Sequence, residues 1–163
     1  MRRSDFDHLL RKAGTVASDR HFIVFGSQAI WGLLTKVPKA LAASLEADLY
    51  PKTYPHAVPL IVEALGRRSR FYRTHGYYAD CVAPELATFP NGWETRLVPY
   101  ANEKTGGVTG WCVEVHDLAI SKLIAGREKD FAYITVLLKH KLVQHELFAG
   151  APGSITDRGT TED

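Results

Sequence analysis

Between Leu45 and Tyr50 the chain reads LEADLY, an alternation of apolar and acidic residues that Pro51 ends. A period of two is the mark of a strand, so Glu46 and Asp48 point to one of its faces. The backbone rise sets the two carboxylates roughly 7 Å apart. Two acids on one face offer the oxygen donors that a hard divalent cation takes, which makes metal chemistry the first reading of this stretch. Upstream, HFIVF (His21 to Phe25) is a short apolar run that ends in Gly26-Ser27. The apolar-periodic segment Gln28 to Leu34 follows, so the order is strand, tight turn, helix. Two basic clusters stand further on: Arg67, Arg68, Arg70 and Arg73 in one, and Lys122, Arg127 and Lys129 in the other. Each suits a polyanion such as a nucleotide or RNA, and each is also compatible with a solvated face. The seven histidines show neither HxxxH nor HExxH spacing, which argues against zinc, and no Walker loop, dinucleotide fingerprint or nucleophile elbow occurs.

The elements that must position these residues follow from the same patterns. Asp5 to Ala17 carries Phe6, Leu9, Leu10 and Ala13 at helical spacing and predicts an amphipathic helix. Val37 to Ser44 reads as a connector. Pro59 near a helix start and Gly66 as its stop frame a helix of about two turns. Tyr77 to Val82, Thr95 to Tyr100 and Trp111 to Val115 read as strands, the last two joined by the turn KTGGVTG. Asp117 is placed to cap the helix LAISKLIAG, which Gly126 ends. A further helix from about Glu128 to His140 is expected to bury Phe131, Ile134, Leu137 and Leu138, and a short one to cover Leu142 to Phe148. Trp93, after the Asn91-Gly92 turn, is expected under a loop. The sum is an α+β domain with a mixed sheet of about five strands, flanking helices and a helical C-terminal part. It spans residues 1–149, with 150–163 as a polar disordered tail.

Composition agrees with one folded domain. The 163 residues are 45% hydrophobic and 23% charged, with a net charge of +2, which is ordinary globular usage. Cys81 and Cys112 lie in strand segments without metal-ligand or CxxC spacing, which suits a reducing compartment. No stretch approaches the roughly 20 apolar residues of a membrane span, and the start lacks an apolar leader region, so the expectation is a cytoplasmic protein with no membrane partner.

The order Gly26-Ser27, then Glu46-Ala47-Asp48 on the next strand, resembles the nucleotidyltransferase superfamily. That superfamily includes DNA polymerase beta and the small toxin–antitoxin and abortive-infection enzymes, and its pattern is Gly-Ser followed by Asp-x-Asp. This chain departs from it in the Glu at position 46 and in the eighteen residues between Ser27 and Glu46. A longer resemblance runs through SRFYRTHGYYADCVAPELATFPNGWETRLVPY and VHDLAISKLIAGREKDFAYI. It is to a bacterial family near the abortive-infection Eii-type nucleotidyltransferases, and the two resemblances together cover most of residues 21–140.

The resemblance implies a nucleotidyltransferase-like fold using Mg²⁺ and an NTP. Gly26 and Ser27 would cradle the triphosphate on backbone N–H groups, and Glu46 and Asp48 would hold the metal. A third carboxylate would come from Asp80, with Glu114 as second choice; for Asp80 the plainer reading is a polar strand end. Lys122 and Arg127 would meet the outer phosphates, and Asp130 would orient Lys122 or assist the acceptor hydroxyl. Lys122 and Asp130 also fit a structural ion pair between two helices. His75, Tyr77 and Tyr78 would stack a base or belong to the core and its rim. The implied activity moves a nucleoside monophosphate to a hydroxyl of tRNA, another RNA or a protein, in a toxin with a cognate antitoxin protein as partner. Two readings from another class stand beside it. One is a degenerate, non-catalytic module that binds nucleotide or a partner protein, motivated by Glu46 and the long spacing. The other is an antitoxin or scaffold whose basic face meets an acidic partner.

Overall fold

A computed structural model describes residues 1–146. The tail expected at 150–163, and the domain end at 149, lie outside the described residues. The first helix, α1 (Arg3–Ala17), buries Phe6, Leu9, Leu10 and Ala13 completely. That stripe is its predicted face. Ser18, in the left-handed region at φ 50°, ends it and turns the chain into β1.

Five strands form one mixed sheet, β1 (His21–Phe25), β2 (Glu46–Pro51), β3 (Tyr78–Cys81), β4 (Val98–Tyr100) and β5 (Thr109–Cys112), in the order β3-β2-β1-β5-β4. The pairs β1/β2 and β4/β5 are antiparallel; β1/β5 and β2/β3 are parallel. The sheet with its flanking helices is the α+β architecture that the sequence pattern predicts. Strand β1 is central and is buried from Phe22 to Phe25, whereas β2 alternates between buried and half-buried residues, as a strand does when only one of its faces is covered. Leu10 of α1 lies over Gly110 of β5, where a Cβ would stand 3.3 Å from the leucine.

Helices α2 (Val58–Leu65) and α3 (Arg70–His75) join β2 to β3, and α4 (Val115–Ala125) and α5 (Glu128–Lys139) follow β5 and pack on each other. Gly126 adopts φ 66° between them, a left-handed turn that suits glycine.

Several expectations change at this level. The segment after Gly26-Ser27 is a 3₁₀ helix, Ser27–Gly32, not an α-helix. It is held by its own side chains: buried Gln28 donates to the Ser44 carbonyl (3.1 Å) and accepts from the Trp31 indole N–H (2.7 Å). The basic segment contains α3, which Ser69 caps by accepting from the Tyr72 N–H. The strand expected at Thr95 to Tyr100 begins only at Val98. Trp93–Arg96 is a 3₁₀ turn that drops Trp93 against Phe25 and lets Arg96 grip Asp117 through two bonds of 2.9 Å. Asp117 is therefore not the cap of α4. Glu114 takes that place and accepts from the His116 and Asp117 N–H groups. Phe131 is 41% exposed, and Tyr133 is buried in α5 instead. Residues 142–144 are not helical, and the rest of the short helix expected there runs past the described residues.

Candidate active site

The site is built from two neighbouring strands and two neighbouring helices. On β2, Glu46 and Asp48 share a face; on β3, Asp80 sits directly opposite Asp48 in the parallel register, and Tyr78 opposite Glu46. Each of the three acids has a carboxylate oxygen within 4.8 Å of the other two. The longer Glu46 side chain therefore reaches the same cluster as its neighbours. It is fixed there by the Tyr78 hydroxyl, which donates to Glu Oε2 at 2.7 Å.

Asp48 bears the greatest electrostatic load. Burial raises its carboxyl first, then a shared hydrogen bond with Glu46 and the charges of Glu46 and Asp80, to about 7, with Lys122 pulling the other way. Its Oδ1 is buried and has no hydrogen-bond partner. A buried carboxylate oxygen left bare is costly unless something pairs with it. The other oxygen, Oδ2, packs against Gly26: a Cβ there would stand 2.3 Å from it, and the residue's φ of +63° already favours glycine. The orphaned oxygen and the oxygen-only donor set of three carboxylates fit a divalent cation such as Mg²⁺.

The cationic side comes from α4 and α5. Lys122 is 11% exposed; its Nζ donates to Ser27 Oγ at 3.0 Å, lies 3.5 Å from Asp130 Oδ1 and sits 4.2 Å from the centroid of the Tyr133 ring. Burial lowers its pKa, with Asp130 opposing and Arg127 and Lys129 adding to the effect. Asp130 is fully buried at the start of α5. It accepts from the Arg127 backbone N–H (3.2 Å) and from the Arg127 guanidinium at 2.7 and 3.2 Å. Burial disfavours its charge, but Arg127 and Lys122 outweigh that and hold its pKa below the usual value. Asp130 thus ties α5 to Lys122 and Arg127, with neither oxygen left for a substrate. Tyr133 completes the frame by donating to the Ser27 carbonyl at 2.9 Å.

Gly26, Ser27, Glu46, Asp48, Asp80, Lys122 and Arg127 all border one cavity of about 640 Å³, with Lys129 and Tyr133 on its wall. Asp130 borders an adjoining cavity. Glu114 is spent on the α4 cap, 2.6 Å from the His116 ring, and is not part of the acidic cluster. His75 and Tyr77 form an aromatic group with His8 and Phe71, and Tyr77 bonds His8 Nδ1 at 2.6 Å. From the sequence, Tyr78 is read only as a stacking or rim residue, not as the donor that fixes Glu46, and Tyr133 is missed. The signals were Tyr78 lying two positions before Asp80 on one strand, and Tyr133 three after Asp130 on one helix face.

Cys81, beside Asp80, has its thiol pushed up to about 12 by burial and by Asp80 and Asp48, which leaves it a poor nucleophile. Among the described residues no helix is long and apolar enough to cross a membrane.

A family model described as "Nucleotidyltransferase of unknown function (DUF6036)" matches residues 4–146. No curated protein and no solved structure matches the chain.

Proposed function

The chain belongs to this nucleotidyltransferase family, and from that premise we propose that it is a Mg²⁺-dependent enzyme that moves a nucleoside monophosphate from an NTP to a hydroxyl. The observation that carries the reading is the convergence of Glu46, Asp48 and Asp80 within 4.8 Å of one another, on a cavity whose other wall carries Lys122 and Ser27. Bound between these carboxylates, the metal would supply charge neutralisation for the transferring phosphoryl group.

The protein's own groups then have separate roles. The turn after β1 offers the triphosphate backbone N–H groups and the Ser27 hydroxyl, and Lys122, anchored by Asp130, offers it a charge. Arg127 reaches for the outer phosphates. The acceptor oxygen forms a bond to the α-phosphorus while the bond to pyrophosphate breaks; pyrophosphate leaves with the electron pair. Asp80, the exposed member of the trio, is open to receive the hydroxyl proton. Asp130 acts by positioning Lys122.

An RNA hydroxyl is the favoured acceptor, because the segment leading into α3 carries exposed Arg67 and Arg68 and the Tyr78 ring stands next to Glu46. Arg67 is near enough to act on the Tyr78 hydroxyl, and the Tyr72 ring lies 4.8 Å from that of Tyr78. A toxin role in a toxin–antitoxin pair rests on the resemblance to abortive-infection enzymes alone. Of the two motives for the degenerate-module reading, Glu46 is met by its side chain reaching the acid cluster, and the long spacing after Ser27 still stands.

The test is incubation of each α-³²P-labelled NTP with cellular RNA and Mg²⁺. Label should enter RNA in the wild type and disappear in Asp48→Ala. Equal labelling by that variant would refute the reading.

A further inference from the structure

Next to the charged cavity lies a second one of about 250 Å³, and Gly26, Asp48, Val82, Lys122 and Arg127 border both. Beyond that shared border the walls become more apolar. On its own side the second cavity is faced by Leu86, Phe89, Leu118 and Ile124, with the hydroxyl residues Thr88 and Ser121 as its polar points. Its remaining acid, Asp130, has both oxygens committed to Arg127.

Two features set this compartment apart from an ordinary surface dip. Leu86 is 81% exposed and Ile124 38% exposed, two large aliphatic side chains left in water on one rim. An isolated exposed leucine carries no meaning, but apolar groups gathered on one concave rim mark a binding surface. Phe89 is also braced from behind: its ring stacks on Phe25 at 5.8 Å and 13° and leans on Trp93 at 5.0 Å. A ring held this way is a rigid platform whose ordering is already complete before a ligand arrives.

We propose that this compartment, bordered by Leu86, Phe89 and Ile124, receives the base of the nucleoside triphosphate whose phosphates lie across the shared wall at Gly26 and Lys122. Three observations choose that occupant. The volume falls below the roughly 300–1,000 Å³ of a drug-sized pocket and suits a one- or two-ring group. The walls offer an apolar, aromatic surface of the kind that flat bases stack on. The border shared with the phosphate side puts the compartment next to a bound triphosphate. The few polar points, Thr88 and Ser121, give edge recognition to one base over another. The assignment rests on the nucleotidyltransferase reading above and adds the element that distinguishes a nucleotide from a bare polyphosphate.

Calorimetric titration with Mg²⁺ separates the two levels. The probes are ATP, GTP, CTP, UTP and inorganic tripolyphosphate, applied to the wild type and to Leu86→Ser and Ile124→Ser. The wild type should bind at least one NTP about tenfold more tightly than tripolyphosphate, a difference of 1.4 kcal/mol. Each variant should shrink that preference to about threefold or less while leaving tripolyphosphate binding unchanged. Leu86 is exposed enough that its replacement leaves the fold alone, which keeps that arm decisive. Equal binding of NTP and tripolyphosphate by the wild type overturns the base compartment and leaves the phosphate site standing. A full NTP preference in both variants overturns it as well, and places any base contact elsewhere. If no triphosphate binds at all, the proposed function fails together with it.

Discussion

Asp48 illustrates at the scale of one residue what the site costs the fold. Its carboxyl stands at about 7 against an ordinary 3.8, first through burial and then through Glu46 and Asp80. A folded-state pKa above the unfolded one means that the folded chain holds the proton more tightly. The associated stability is fully present below pH 3.8 and drains away as the pH rises to about 7. Metal-free protein should therefore melt at lower temperature at pH 8 than at pH 5. Asp48→Asn, which cannot ionise, should flatten that slope and gain at most about 4 kcal/mol at pH 8. Melts in EDTA at the two pH values check this, and an unchanged slope in the variant would show that the load lies elsewhere. Tyr78 is the complementary case. Its hydroxyl bonds Glu46 at 2.7 Å, and a hydrogen bond to a charged group contributes about 1.5–3 kcal/mol. In Tyr78→Phe, Mn²⁺ binding measured by calorimetry should weaken by about tenfold, with the circular dichroism spectrum intact. Undiminished affinity would make the contact incidental.

At the scale of elements, the turn after β1 is the joint on which the acids and the cations meet. Gly26 is required twice there, by its φ of +63° and by the 2.3 Å a Cβ would leave to Asp48. Gly26→Ala is expected to lower stability by about 1–3 kcal/mol through the strained backbone and to abolish nucleotide transfer by displacing Asp48. A labelling assay beside a denaturant melt reads both, and full transfer by a stably folded variant would contradict the close fit. The strand that carries Glu46 and Asp48 was legible because alternation with period two is a local property of LEADLY. So was the strand-turn order at Phe25 and Gly26, and so was the buried stripe of α1. The parts that were not legible depend on partners far along the chain. Nothing near Asp117 signals that Arg96 will claim it, and this frees the α4 cap for Glu114. Nothing near Phe131 signals that Tyr133 will point inward, because its partner is the carbonyl of Ser27. The 3₁₀ helix after Gly26 likewise owes its form to Gln28 reaching Ser44.

Across the whole molecule, the sheet and the α4/α5 pair carry opposite charges toward one cavity. Glu46, Asp48 and Asp80 stand on β2 and β3; Lys122 stands on α4 and Arg127 just before α5, both held by a buried Asp130. Asp48 Oδ1 is bare, and although Ser27, Asp130 and the Tyr133 ring hold Lys122, burial still lowers its pKa. A metal with a triphosphate satisfies both, the cation pairing with the acids and the phosphates with Lys122. The two ligands should therefore bind cooperatively, each raising the other's affinity by the same factor. Titration of Mn²⁺ followed by electron paramagnetic resonance, with and without NTP, tests this most directly. The account predicts that Mn²⁺ binds the wild type, that NTP tightens this binding about tenfold or more, and that Asp48→Asn abolishes the tightening. Mn²⁺ binding that ignores NTP, or that survives unchanged in Asp48→Asn, would contradict it.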